Sequence, residues 1–196
     1  MAKVIGITGG IGAGKSLVIE YLKNTYSYTI IKADEVAHLV KEKGQCCYEP
    51  LIALLGEEVL QSNGEINREK MATMIFQDPV LLKKVNELIH PAVKEMILNA
   101  IQKETGAYII IEAALLIEDG YLSYLDELWY IYASEQVRKN RLMKTRGYEQ
   151  EKIYKIFQTQ LAEELYKEHS DYVIDNSTTQ AALFAQIDDI MKRTTV

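Results

Sequence analysis

Gly9-Gly10-Ile11-Gly12-Ala13-Gly14-Lys15-Ser16 is the stretch on which the fold turns. It fits G-x-x-x-x-G-K-[ST], the phosphate-binding P-loop. Its flanks fit as well. Lys3-Val4-Ile5-Gly6-Ile7-Thr8 reads as a short buried strand, and Lys15 to Tyr26 as a helix with Val18, Ile19 and Leu22 on one side. The bare pattern arises by chance in roughly one chain in a hundred of this length. Strand, Gly-rich turn and helix in that order make an accident far rarer. Glycines at 9, 10, 12 and 14 let the backbone curl and present N–H groups to phosphate oxygens. The helix N-terminus adds a partial positive charge at the same place. Lys15 is a mobile point charge for the β- and γ-phosphates, and the Ser16 hydroxyl is a ligand for Mg²⁺.

The chain has 196 residues, 48% of them hydrophobic, which is ample for one compact domain with an inserted subdomain. A net charge of −6 and a pI near 5.2 argue against a nucleic-acid partner, which calls for a basic face. They leave room for a local basic pocket. Met1-Ala2-Lys3 runs straight into the first strand, so no leader is expected. No run of 18 apolar residues occurs, so no membrane span is expected. Cys46 and Cys47 are adjacent, a poor arrangement for a disulfide or a structural zinc site. They read as reduced thiols, and the cytoplasm is the expected location.

Further along, Tyr28-Thr29-Ile30-Ile31 reads as a second strand, ending at Lys32-Ala33-Asp34. A helix follows to about Lys43, with Val36, Leu39 and Val40 inward. Asp34 stands at a strand's carboxyl end, the edge where open α/β sheets bind ligands. It is equally suited to capping the helix, and the two readings stay open. Residues 44–105 are mostly helical. Asn67 caps a helix from Arg68, and Asp78-Pro79 opens another, which His90-Pro91 is expected to interrupt. Ala107 to Ile111 is a continuous apolar run, a strand buried on both faces, leading into Glu112. An acid there suits Mg²⁺. Leu125 to Tyr132 contains a fourth strand. Ser134 caps a helix to Arg146, a second helix spans 149–168, Asp171 to Asn176 is a fifth strand, and a last helix starts near Thr178. Arg138, Arg141, Lys144 and Arg146 cluster on an otherwise acidic chain and suit a lid over phosphates, or a solvated helix face. The expected fold is thus α/β: a five-stranded parallel sheet with helices on both faces. Residues 1–43 and 106–196 form the core, 44–105 a helical substrate-binding insertion, and 138–168 a lid.

These residues resemble the dephospho-coenzyme A kinase family, within the nucleoside-monophosphate-kinase-like P-loop NTPase group. The resemblance runs from Val4 to about Asn176. It is carried by Ile7 to Ser16, Ala33-Asp34, Gly64 to Arg68, His90-Pro91, Leu115 to Glu118 and Asp171 to Asn176. It implies transfer of the γ-phosphoryl group of ATP to the ribose 3′-hydroxyl of dephospho-CoA, with Mg²⁺, by a protein expected to be monomeric. It implies Asp34 as general base, with Lys15 and Arg141 as the catalytic charges. It implies nucleotide contacts from Gly10, Ile11, Gly12, Ala13, Gly14, Lys15, Ser16 and Leu17, with Arg146 and Asn176. It implies acceptor contacts from Asp34, Arg68, His90 and Leu115, and metal contacts from Ser16 and Glu112. The chain departs from the family pattern at four places. Lys32 replaces an acid, Ala114 a proline, Thr145 the second lid arginine, and Tyr166 a basic residue.

Two other functions fit the residues: a P-loop kinase for another nucleotide-like or small hydroxyl acceptor, and a non-catalytic ATP-binding protein. Lys32 favours the second, whereas Lys15, Ser16, Asp34, Glu112 and Arg141 argue for catalysis. No Asn-Lys-x-Asp stretch is present for guanine.

Overall fold

The computed structural model describes residues 2–194. Strands β1 (Lys3–Thr8), β2 (Thr29–Lys32), β3 (Tyr108–Glu112), β4 (Glu127–Tyr132) and β5 (Tyr172–Asp175) form one sheet in the order β2-β3-β1-β4-β5. β1 pairs in parallel with β3 and with β4, and β4 with β5. The centre is therefore β1, and the loop at its carboxyl end lies at the middle of the sheet edge. The connection between β3 and β4 holds a 3₁₀ turn, Leu122–Tyr124, and no α-helix.

The chain divides into two compact units: residues 1–30 with 105–196, and residues 31–104. In the first unit, the central strands are apolar on both faces. Ile5, Ile7, Ile110, Trp129 and Ile131 are fully buried, with Val18 and Leu22 of α1 (Lys15–Tyr26) and Leu183 and Ile187 of α9 (Gln180–Thr194). Each such aliphatic side chain contributes roughly 1.5–3 kcal/mol relative to exposure. At the amino edge, Asp126 and Asp171 replace missing ladder partners. Their carboxylates accept from the N–H groups of Val4 at 2.7 Å and Leu128 at 2.8 Å. Tyr21 and Tyr26 both donate to Asp188.

The second unit contains α2 (Ala33–Leu39), α3 (Tyr48–Leu55), α4 (Arg68–Gln77) and α5 (Pro79–Lys103). Asn67 caps α4 by accepting from the Lys70 N–H, and Asp78 caps α5 by accepting from Val80 and Leu81. Residues 31–43, assigned from sequence to the core, group with this unit because α2 packs on α5. Leu39, expected inward, is 39% exposed, since α2 stops there and Val40 alone turns in. α5 does not break at Pro91. Val85, Ile89, Val93 and Ile97 bury one stripe on both sides of the proline, and that packing outweighs the lost hydrogen bond.

Back in the first unit, α6 (Glu135–Arg146) is followed by α7 (Gln150–Gln158) and α8 (Glu163–His169), where one helix was expected. The break at 159–162 resets the helical phase. Tyr166 is buried against Tyr130, rings stacked at 4.8 Å, while Leu165 is left exposed.

Candidate active site

The loop after β1 takes left-handed backbone at Gly9 (φ 143), Gly12 (φ 80) and Gly14 (φ 96), which side-chain-bearing residues rarely adopt. Gly14 is the cap residue of α1, so the helix begins at Lys15 with its first N–H groups facing the turn. Lys15 Nζ donates to the Gly9 carbonyl at 2.8 Å and lies 3.7 Å from a Glu112 carboxylate oxygen. Ser16 is exposed at the head of the helix. The sequence-predicted Lys15 and Ser16 open α1, and Glu112 ends β3, the strand that pairs with β1. Their donor set of one hydroxyl and one carboxylate suits a hard cation that takes its other ligands from phosphate and water.

Two residues brace the loop from outside. The Asn176 side chain is buried, and its Nδ2 donates to the Ala13 carbonyl at 2.7 Å. Arg141 Nη1 donates to Ala13 at 3.2 Å and Gly12 at 3.4 Å, and Nη2 to the Asn176 carbonyl at 2.8 Å. With those carbonyls held outward, the loop N–H groups turn toward the cradle. Arg141 thus engages loop backbone.

Arg138, which the sequence offers only as one of a basic cluster suited to a lid or a solvated helix face, also reaches the loop. Its Nε donates to the Ile11 carbonyl at 2.9 Å, and its Nη2 to Gln160 Oε1. The guanidinium lies 4.2 Å from the Phe157 ring centroid. A Cβ on Gly10 would collide with it, its guanidinium carbon only 2.6 Å away. Burial holds the Arg138 pKa below the ordinary arginine value. The available signal was spacing: 138 and 141 share one face of a helix.

Arg146, by contrast, is exposed in the last turn of α6, 6.0 Å from the Tyr148 ring centroid, and among the described residues no interaction joins it to the loop. Leu115 lies in the β3–β4 connection, 43% exposed.

The helical unit carries a cavity of about 950 Å³, lined among others by His38, Lys41, Arg68, Ile66 and Met71. Three glutamates, Glu42, Glu65 and Glu69, share the lining. Burial and the nearby Arg68 charge both lower the Lys41 pKa. Burial, Lys41 and Arg68 lower that of His38. Asp34, four residues before His38 on α2, counters part of this by favouring the charged forms of both. Asp34 is not the helix cap: Lys32 occupies that position, and Asp34 follows in the first turn. Lys32 itself pairs with Glu35 at 2.8 Å. His90 lines a separate hollow of about 520 Å³ on α5, with Pro91 and Leu82. The unit thus offers a large hollow holding an anion-seeking cluster beside a carboxylate.

Among the described residues no helix is long and apolar enough to cross a membrane, and no three His, Cys, Asp or Glu residues gather to hold a metal alone.

Residues 3–182 match the family described as dephospho-CoA kinase. A dephospho-CoA kinase of Streptococcus mutans is 33% identical over 195 residues, 98% of each chain. The crystal structure of TT1252 from Thermus thermophilus superposes with a TM-score of 0.83 at 26% identity, covering 98% of this chain and 97% of that one. A dephospho-CoA kinase from Campylobacter jejuni gives 0.73 at 23% identity over 99% and 100%, a likeness of fold.

Proposed function

The chain belongs to the dephospho-CoA kinase family, a transferase that phosphorylates dephospho-CoA with ATP to give CoA, and on that premise we propose how its residues divide the work. The acceptor atom is the ribose 3′-hydroxyl. ATP lies in the cradle of residues 10–17, with Lys15 released from the Gly9 carbonyl to meet its β- and γ-phosphates. Asn176 and Arg141 keep the cradle in shape. Ser16 and Glu112 hold Mg²⁺, which when bound draws charge from the phosphate oxygens. Asp34 takes the proton of the attacking hydroxyl. Phosphoryl transfer is mainly positioning and electrostatics, so these charges are the catalytic apparatus.

The acceptor occupies the cavity of the helical unit, where Arg68 and Lys41 meet its diphosphate and the apolar wall of Ile66 and Met71 meets its less polar arm. The observation that carries this reading is the Arg68–Lys41 pairing of like charge in a cavity of ligand size. His90 and Leu115 are acceptor contacts of lesser weight, and Arg146 a nucleotide contact only after α6 moves. The protein works as a monomer in the cytoplasm, where its two free thiols stay reduced.

The test is ADP release in the presence of ATP and Mg²⁺ with dephospho-CoA, adenosine or a nucleoside monophosphate. Release that depends on dephospho-CoA supports the assignment. Release with another acceptor alone marks a kinase of different specificity, and silence with clear ATP binding marks a non-catalytic homologue.

A further inference from the structure

We propose that Arg138 contacts the transferring phosphoryl group of ATP, supplying from the first turn of α6 the arginine charge that position 145 lacks. The inference rests on the kinase reading above. Its first support is a charge with no counter-charge in contact. Arg138 is half-buried, and Glu135 and Glu163 favour its charged form, yet among the described residues neither forms an ion pair with it. A buried charge ordinarily has a counter-charge, and the group beside this one is a loop built to hold phosphate.

Its second support is the count of donors. A guanidinium has five N–H groups. Arg138 gives one to the Ile11 carbonyl and one to Gln160. Three remain without an acceptor among the described residues. Arg141, the arginine expected to face the phosphates, directs its guanidinium at the carbonyls of Gly12, Ala13 and Asn176. Of the two, Arg138 has the more donors to offer, since Arg141 has both terminal nitrogens engaged.

Its third support is orientation. Phe157 lies 4.2 Å from the guanidinium, Gln160 accepts from it, and Gly10 admits both side-chain ends because it has no Cβ. Thr145 directs its hydroxyl to the Arg141 carbonyl and carries no charge. In the step itself, the bond from the acceptor oxygen to Pγ forms as the bond from Pγ to the bridging β,γ-oxygen breaks. ADP leaves with that electron pair, the hydroxyl proton passes to Asp34, and Arg138 meets charge on the equatorial oxygens.

The test measures kcat, both KM values, ATP affinity by calorimetry and thermal unfolding for the whole protein. It compares wild type, Arg138→Gln, Arg138→Lys and Arg138→Gln combined with Thr145→Arg. Arg138→Gln is expected to lower kcat by about 100-fold or more, with ATP affinity changed by less than about fivefold. Arg138→Lys is expected to recover part of the rate, and Thr145→Arg in the Arg138→Gln background at least about tenfold of it. A kcat within about threefold of wild type overturns the inference. So does a rate loss matched by an equal loss of ATP affinity and rescued by neither change, which makes Arg138 a brace of the loop. If Arg138→Gln melts below the assay temperature, Arg138→Met against Arg138→Lys carries the same comparison. A wild type that is inactive on dephospho-CoA overturns the parent reading, and an active wild type with an equally active Arg138→Gln overturns this inference alone.

Discussion

Asn176 donates from its side-chain amide to the Ala13 carbonyl at 2.7 Å, joining the end of β5 to the phosphate-binding loop 163 residues earlier. Asn176→Ala removes the shorter of the two side-chain bonds to that carbonyl and leaves Arg141 as its donor, a loss of about 0.5–1.5 kcal/mol. The expected outcome is a lower melting temperature and an ATP affinity roughly threefold weaker, the latter because part of that energy holds the loop in its binding shape. Calorimetric titration with ATP checks it, and an unchanged affinity would separate the bond from nucleotide binding.

Asp34→Asn is expected to lower kcat by about 10²–10⁴-fold, the usual worth of a general base, while ATP affinity stays nearly constant. A collapse of ATP affinity in the titration would instead make Asp34 a metal ligand.

Arg68→Ala is expected to raise the KM for dephospho-CoA about tenfold and leave that for ATP unchanged, because it removes a charge from the helical cavity alone. The same cavity predicts a pH effect. Burial, Lys41 and Arg68 hold the His38 pKa below its ordinary value. A bound diphosphate offsets those charges and raises it, so binding takes up a proton as pH falls through the interval between the two values. The KM for dephospho-CoA should therefore fall from pH 7.5 to 6, and His38→Gln should flatten the profile. A profile indifferent to His38 would place the acceptor's charges elsewhere.

The paired cysteines should behave unlike each other. Cys46 is exposed and Cys47 buried, its pKa pushed up to about 11 by burial first and Cys46 second. Iodoacetamide at pH 8 is expected to modify Cys46 and spare Cys47 until the protein unfolds, as peptide mass mapping would read. The raised folded value also stabilises the protein below the ordinary thiol pKa of 9.0, and that contribution fades as pH climbs toward 11. The melting temperature should drop over that interval, with a shallower slope in Cys47→Ala.

Most of the sheet was legible because its signals are local. The run before Gly9 and the run at Ile109-Ile110-Ile111 are short, apolar and bounded by glycine, so each strand declares itself within a few residues. Asp78 and Asn67 likewise announce helices that begin one residue later. The misreadings come from longer range. Pro91 looks like a break, and only the stripe from Val85 to Ile97, packed on other helices, reveals that α5 continues. The break between α7 and α8 contains neither glycine nor proline. Its evident use is to deliver Gln160 to Arg138, a contact 22 residues apart that no periodicity encodes. Arg138 reads from the sequence only as one of a basic cluster for the same reason: its neighbours Ile11 and Gly10 lie more than 120 residues away.

The two units also differ in when they can exist. Residues 31–104 are contiguous, so every contact inside the helical unit is available as soon as residue 104 has left the ribosome. The sheet unit has no such independence: Ile5 and Leu22 share a core with Leu183 and Ile187, and Tyr21 waits for Asp188. At ordinary elongation rates the interval is roughly 5–20 s. During it the phosphate-binding loop, although made first, lacks β5, Asn176 and α9. On the proposed division of work, the nascent chain acquires the cavity of the helical unit before the loop has the β5 and Asn176 contacts that shape it for a nucleotide.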